Sequence, residues 1–297
     1  MNEAPLISVV MCCYNEQLYI RDAIESVLNQ THKDFEFVIW NDGSNDDTEK
    51  IIKSYKDDRI RYFYHENTGL GMALRLACQE VRGKYIARMD CDDICMPDRL
   101  AKQVAFLEAN PDYVLCSTGV YYMDADGNVL GRRFPAIKDK QIRSRITAIT
   151  HPATMFRTEA YNKCGGYYPL RSAQDRILWS RLLREGKFSN LKEALLKYRM
   201  VSTSVSHVIQ DETTYGKMIE QIRSKICADK YYNEDDVDLH NQIYALAKKS
   251  YKGENKTYIH AITIEERIYN LCSKVFSDKT STDIVYAFKN IFLALSK

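Results

Sequence analysis

Along the first two thirds of the chain, apolar residues alternate between short unbroken runs and stripes at helical spacing. "LISVVMCC" (6–13) is a short apolar run containing β-branched residues, the mark of a buried parallel strand. Ile20, Ile24, Val27 and Leu28 follow at helical spacing, with Asn15 as the expected N-cap. "FEFVIW" (35–40) predicts a second strand, and the turn cluster "NDGSNDD" behind it starts a helix to about Tyr55. "RIRYFYH" (59–65) predicts a third strand, and a helix over 71–81 stops near Gly83. "YIARMD" (85–90) predicts a fourth strand, and Pro97 stands in the first turn of a helix to about Glu108. Four β-α units in a row argue for an α/β chain: an open, mostly parallel sheet flanked by helices.

The pattern then loosens. Residues 113–135 predict a strand and a hairpin around a "DADG" turn, followed by a helical or irregular piece up to "THPATMFR" (150–157). "CGGYYP" reads as a turn, "AQDRILWSRLLREG" (173–186) as an amphipathic helix ended by Gly186 with Trp179 in the core, and "LLKYRM" (195–200) as a last strand. Beyond about Gln210 glycine appears only at 216 and 253, proline not at all, and helical periodicity runs over 211–231, 234–251, 263–277 and 282–295. The division that follows is an α/β domain over 1–208 and a helical extension over 209–297.

Composition removes several functions. The net charge of +2, from 42 basic and 40 acidic residues, creates no field for nucleic acid. Nine scattered cysteines without a CxxC pair read as reduced thiols of a cytoplasmic protein, not a disulfide framework or zinc site. The N-terminus lacks a basic region and reads as a first strand, not a signal peptide. No window reaches the ~18 uninterrupted apolar residues of a membrane-spanning helix. The final segment lines up Ile284, Phe288, Ile291, Phe292 and Leu295 in one stripe. Its readings are packing within the chain, a homodimer contact, or peripheral docking at the inner face of the cytoplasmic membrane. Only Lys289 and Lys297 flank it, which ranks dimerisation above docking.

The chemistry concentrates in "IARMDCDDICMPDRL" (86–100), where Asp90, Asp92, Asp93 and Asp98 crowd the end of the fourth strand. In an open α/β sheet, ligands bind outside the carboxyl ends of the strands. Glu16, Asp42 and the pair Asp90/Asp92 follow strands one, two and four. Each alone reads as a turn or cap residue. Three such ends on one edge point instead to a hard cation, Mg²⁺ or Mn²⁺, holding phosphate oxygens. Arg75 and Arg88 are candidates for that diphosphate, since guanidinium forks suit phosphate.

Several motifs in register carry a resemblance: "SVVMCCYNE" through "VIWNDGSNDDT", then "DCDD" with "MPDRL", "HPATMFR", "GGYYPLRSAQDRILWSRL" and "YRM". Over roughly residues 5–206 the chain resembles glycosyltransferase family 2. The resemblance implies the Rossmann-like GT-A fold, a nucleotide-diphospho-sugar donor (UDP foremost), Mn²⁺ or Mg²⁺, and inversion at the anomeric carbon. It also implies a glycan or lipid-linked saccharide acceptor, of bacterial surface-polysaccharide or O-antigen type. On it, Tyr14 lies against the base, Glu16 shapes the nucleotide pocket and Asp42 accepts from the base. Asp90 faces the ribose, Asp92 the metal, and Asp175 is the general base. His151, Gly166 and Tyr167 fall on the acceptor side. Two departures stand out. Cys12-Cys13 occupies a place where relatives commonly carry proline. The metal-ligating histidine expected just after the "YR" strand is replaced by Val201 and Ser202, leaving His207 as the nearest candidate.

Three rival readings fare worse. "GLGMAL" (69–74) begins a dinucleotide fingerprint but lacks its third glycine and follows the polar "YHENT". A phosphotransferase using "DCDD" needs a nucleophilic aspartate on the first strand and a lysine partner, and neither is evident. A catalytically degenerate sugar-nucleotide-binding scaffold sits poorly with the retained Asp42, Asp92 and Asp175.

Overall fold

Four parallel strands carry the expected start of the fold in the computed structural model, which describes residues 4–133, 149–170 and 174–200. They are β1 (Ile7–Cys13), β2 (Phe35–Asn41), β3 (Ile60–Tyr64) and β4 (Tyr85–Met89). β1 lies between β2 and β4, with β3 outside β2. Every residue of β1, β2 and β4 is buried, as the unbroken apolar runs require of strands covered on both faces. Alternation along β1 divides the core. Ile7, Val9, Met11 and Cys13 join one cluster with α1 (Ile20–Leu28), α2 (Thr48–Ser54) and α4 (Arg99–Ala109). Val10 and Cys12 face the other, with α3 (Leu70–Gln79), α5 (Thr158–Lys163) and α6 (Gln174–Leu182). Trp179 is fully buried in that second cluster, as its spacing predicts.

The second half of the sheet departs from the repeat. β5 (Ile94–Cys95), β6 (Tyr113–Met123), β7 (Val129–Arg133), β8 (Met155–Arg157) and β9 (Lys187–Arg199) complete an order of β3-β2-β1-β4-β8-β6-β9-β5, with β7 hydrogen-bonded to β6. β8, only three residues long, enters antiparallel between β4 and β6. β9 starts eight residues before the expected 195, because Asn190, Lys192 and Glu193 in its middle are half-buried or exposed and interrupt the apolar run. It pairs with β6 in parallel and with the short β5 antiparallel.

Two cap expectations are corrected. Asn15 does not cap α1, which begins at Ile20; it adopts φ +57, a conformation asparagine tolerates. Its Oδ1 accepts from Asn45 N at 2.9 Å and its own N–H donates to Ser44 Oγ at 3.0 Å, joining the loops after β1 and β2. Pro97 precedes α4 rather than standing in its first turn; its carbonyl accepts from Thr31 N at 2.9 Å.

All seven described cysteines are free and buried, Cys12 and Cys13 among them, so small hydrophobic packing accounts for that pair. No helix among the described residues is long and apolar enough to cross a membrane. The four C-terminal helical stretches, with their dimer and membrane readings, and the boundary at 208/209 lie outside the described residues.

Candidate active site

β1 has neighbours on both sides, β2 and β4, whose connections leave in opposite directions; such a switch point opens a crevice at the strands' carboxyl ends. Tyr14, Glu16, Asp42 and the acidic run Asp90–Asp93 all lie at that edge. One carboxylate oxygen from each of Asp90, Asp92 and Asp93 falls within 4.8 Å of the others. Burial first, then Asp90, raises the pKa of Asp92 to about 7. Burial first, then Asp92 and Asp90, raises Glu16 to about 8. Asp93 is pushed up by burial and by the same two neighbours. Four acids therefore share one concentrated negative potential.

Two arginines answer it in part. Arg88 is 1% exposed: its guanidinium turns into the protein, where Nη2 pairs with Asp90 and where Nε and Nη1 have no hydrogen-bond partner among the described residues. It reaches the crevice through Asp90 rather than by presenting its own fork. Arg199, at the end of β9, donates from its backbone N–H to Asp93 Oδ1 at 2.9 Å and from Nε to the Asp92 carbonyl at 2.8 Å. Among the described residues, Asp93 Oδ2 is buried without a hydrogen-bond partner. An all-oxygen donor set, an orphaned buried carboxylate oxygen and uncompensated charge suit a hard divalent cation.

Asp42 is spoken for on the protein side. Oδ1 accepts from Thr68 N at 2.9 Å and Thr68 Oγ1 at 3.0 Å, and Oδ2 accepts from Gly69 N at 2.9 Å. Gly69, at φ +88, leads into α3, so the carboxylate fixes the loop that opens that helix. Tyr14 is 47% exposed at the rim.

Asp175 lies in the first turn of α6, half-buried, with its pKa raised chiefly by burial and in part by Asp90. Asp175 lies within electrostatic reach of Asp90 although 85 residues of sequence separate them. Beneath it, Tyr167 is fully buried, its hydroxyl 2.6 Å from His151 Nε2. Arg75 Nη1 donates to the Tyr167 carbonyl at 2.9 Å, so Arg75 braces this loop rather than standing free in the crevice. Gly166, at φ +68, packs where a Cβ would come within 2.6 Å of the Tyr161 ring. His151, Gly166 and Tyr167 thus pack against α6, the helix that carries Asp175, through Trp179 and Arg181. His207 lies outside the described residues. Asp93 and Arg199 are the residues that sequence reasoning left without a role, although "DCDD" and "YRM" both display them.

Burial, and secondarily Arg88, hold the His151 pKa well below 6.5, so the ring is neutral. Below pH 6.5 the unfolded chain takes up a proton there that the folded chain refuses, and stability falls as pH falls. The expected slope is about 1.4 kcal/mol per pH unit until the depressed folded-state pKa is reached. Urea melts at pH 7.0 and 5.5 should show the wild type losing more stability than His151→Gln. Identical losses would place the ring's burial in doubt.

The model of glycosyl transferase family 2 matches residues 8–165, from β1 to the end of α5. The chain belongs to that family. It is 40% identical over 210 residues to the glycosyltransferase MJ1057 of Methanocaldococcus jannaschii, covering 67% of this chain and 72% of that one. It is 33% identical over 207 residues to the O-antigen biosynthesis glycosyltransferase WbnJ of Escherichia coli, covering 67% and 81%. Among solved structures, the mannosyltransferase PcManGT of Pyrobaculum calidifontis, in complex with GDP-Man and Mn²⁺, superposes with a TM-score of 0.56. The two are 16% identical, and the match covers 98% of this chain and 88% of that one. The protein is a glycosyltransferase with the GT-A fold. The crevice between β1 and β4 is its candidate active site, and the family match ends before Asp175, which lies within electrostatic reach of Asp90.

Proposed function

We propose that this enzyme transfers a sugar from a nucleotide-diphospho-sugar, UDP-linked, to a hydroxyl of a glycan or lipid-linked saccharide, with inversion, in the building of a surface polysaccharide of the O-antigen kind. The observation that carries the reading is the cluster of Asp90, Asp92 and Asp93, whose oxygens lie within 4.8 Å of one another, with Glu16 and Asp175 both within electrostatic reach of Asp90. Diphosphate-binding chemistry and a basic carboxylate thus lie within electrostatic reach of each other. WbnJ, named for O-antigen biosynthesis, supports the polysaccharide setting, and PcManGT, bound to GDP-Man and Mn²⁺, supports a nucleotide-sugar donor and a metal.

Each side chain has a task in this reading. Asp92, Asp90 and Asp93 are the residues to hold Mn²⁺ or Mg²⁺, which when bound neutralises charge developing on the departing diphosphate. Asp90, held by Arg88, also faces the ribose. Tyr14 offers an exposed ring to the base at the rim. Asp42 keeps the loop at Thr68–Gly69 in place beneath it and can accept one further bond at Oδ2. Asp175 takes the proton of the attacking acceptor hydroxyl as the new bond forms. Its raised pKa makes it a stronger base than a solvated aspartate. A base on one face and a leaving group on the other give a single displacement with inversion.

Hydrolysis of a panel of UDP-, GDP- and dTDP-sugars, with and without Mn²⁺, tests the reading. One donor class should be consumed, and only with metal. Tight binding of every nucleotide without turnover of any would argue for a binding scaffold instead.

A further inference from the structure

Arg199 is the best-connected cation beside the acidic run, and nothing in the proposed reaction uses it. Its side chain is 3% exposed. Nε donates to the Asp92 carbonyl at 2.8 Å. Nη1 donates to the Ala125 carbonyl at 2.7 Å and the Asp124 carbonyl at 3.3 Å, in the turn between β6 and β7. Nη2 lies 3.7 Å from Asp22 Oδ2 in the first turn of α1, and the guanidinium stacks 4.4 Å from the centroid of Tyr19. Its own backbone N–H binds Asp93 Oδ1 at 2.9 Å.

One planar fork therefore joins three pieces of chain: the start of α1, the acidic loop after β4, and the β6–β7 turn. A guanidinium can do this because its donors point in fixed, divergent directions. A lysine in its place reaches one of these acceptors at a time. The fork holds the main chain at Asp92, and the backbone N–H of the same residue holds the Asp93 carboxylate, so the fork ties the end of β9 that carries this N–H to the acidic loop. The β6–β7 turn, whose own shape is kept by Asp124 Oδ1 accepting from Asp126 N and Asn128 N, is the abutment it braces against.

We infer that Arg199, braced by the turn at Asp124–Ala125, is the positioning residue that presents Asp92 and Asp93 to the divalent cation. The inference rests on the metal reading given under the proposed function. Removing the fork frees the main chain at Asp92 and loosens the end of β9 whose N–H holds Asp93, so the acidic loop shifts and affinity for the cation falls.

The test is a Mn²⁺ titration by electron paramagnetic resonance, with and without UDP, on wild type, Arg199→Met, Arg199→Lys and Asp124→Ala, with melting temperatures read in parallel. Arg199→Met should weaken Mn²⁺ binding at least about tenfold, the effect typical of removing a partner that orients a ligand. Arg199→Lys should restore melting temperature more than it restores Mn²⁺ affinity. Asp124→Ala alters only a surface turn, so it keeps the test alive if the arginine variants fail to fold; it should weaken Mn²⁺ binding in the same direction, by less. Folded variants that bind Mn²⁺ within about twofold of wild type would overturn the inference and leave Arg199 a packing residue. A wild-type protein that binds no Mn²⁺ even with UDP would overturn the metal reading itself, and this inference with it.

Discussion

Replacing Asp175 with asparagine should lower the transfer rate by at least ~10² while leaving donor affinity near its wild-type value. Asparagine keeps the size and the hydrogen-bonding outline of the side chain but cannot take a proton. The carboxylate sits in the first turn of α6, half-buried, and burial raises its pKa, with Asp90 adding to the shift. Both influences increase basicity toward an acceptor hydroxyl, and both vanish with the charge. A loss confined to the chemical step appears in kcat, with little change in the donor KM when chemistry is slow relative to donor release. The packing of Trp179 of the same helix against His151, and of His151 against Tyr167, does not depend on that charge, so the melting temperature should hold. Wild-type turnover by Asp175→Asn would make the residue a helix-start acid serving the dipole and would move the base elsewhere.

Asp92→Ala should abolish the gain in UDP affinity that Mn²⁺ confers, a loss of at least about 10²-fold in the metal-dependent component. Its effect on folding should be small and opposite in sign to the usual loss of a buried group. In the metal-free protein the Asp92 carboxylate is raised to about 7 by burial and by Asp90, so its ionised form costs stability at neutral pH. Removing it relieves that repulsion, and the melting temperature without metal should stay level or rise. Added Mn²⁺ should then raise the wild-type melting temperature and leave that of Asp92→Ala unmoved. Calorimetry with Mn²⁺ and with EDTA reads the affinity difference directly, and equal affinities in the wild type would remove the acidic run from the donor site.

The first half of the fold was legible because its strands are buried on both faces and announce themselves as apolar runs. β1, β2 and β4 fall within a residue or two of their expected limits. The second half hid itself for physical reasons. β8 is three residues long and borrows its pairing from β4 and β6, so it has no pattern of its own. β9 exposes much of its middle, where Lys192 and Glu193 mask the strand. At the site, Glu16, Asp90 and Asp92 could be drawn to one edge from topology alone, because strand ends are set by strand order. Side-chain direction could not be read that way. Arg88 is drawn inward by Asp90, Arg75 turns to the Tyr167 carbonyl, and Asp42 spends three bonds on Thr68 and Gly69. Arg199 escaped notice because its partners are main-chain carbonyls about 75 and 107 residues away, which no local motif encodes.

Anomalous diffraction from crystals of the whole chain soaked with Mn²⁺ and UDP tests the central claim most directly. A manganese peak about 2.0–2.6 Å from a carboxylate oxygen of Asp92, with the diphosphate on its open side and Asp175 across the crevice, is the predicted result. Bound UDP whose diphosphate lies away from Asp90, Asp92 and Asp93, with no manganese peak among them, would contradict it.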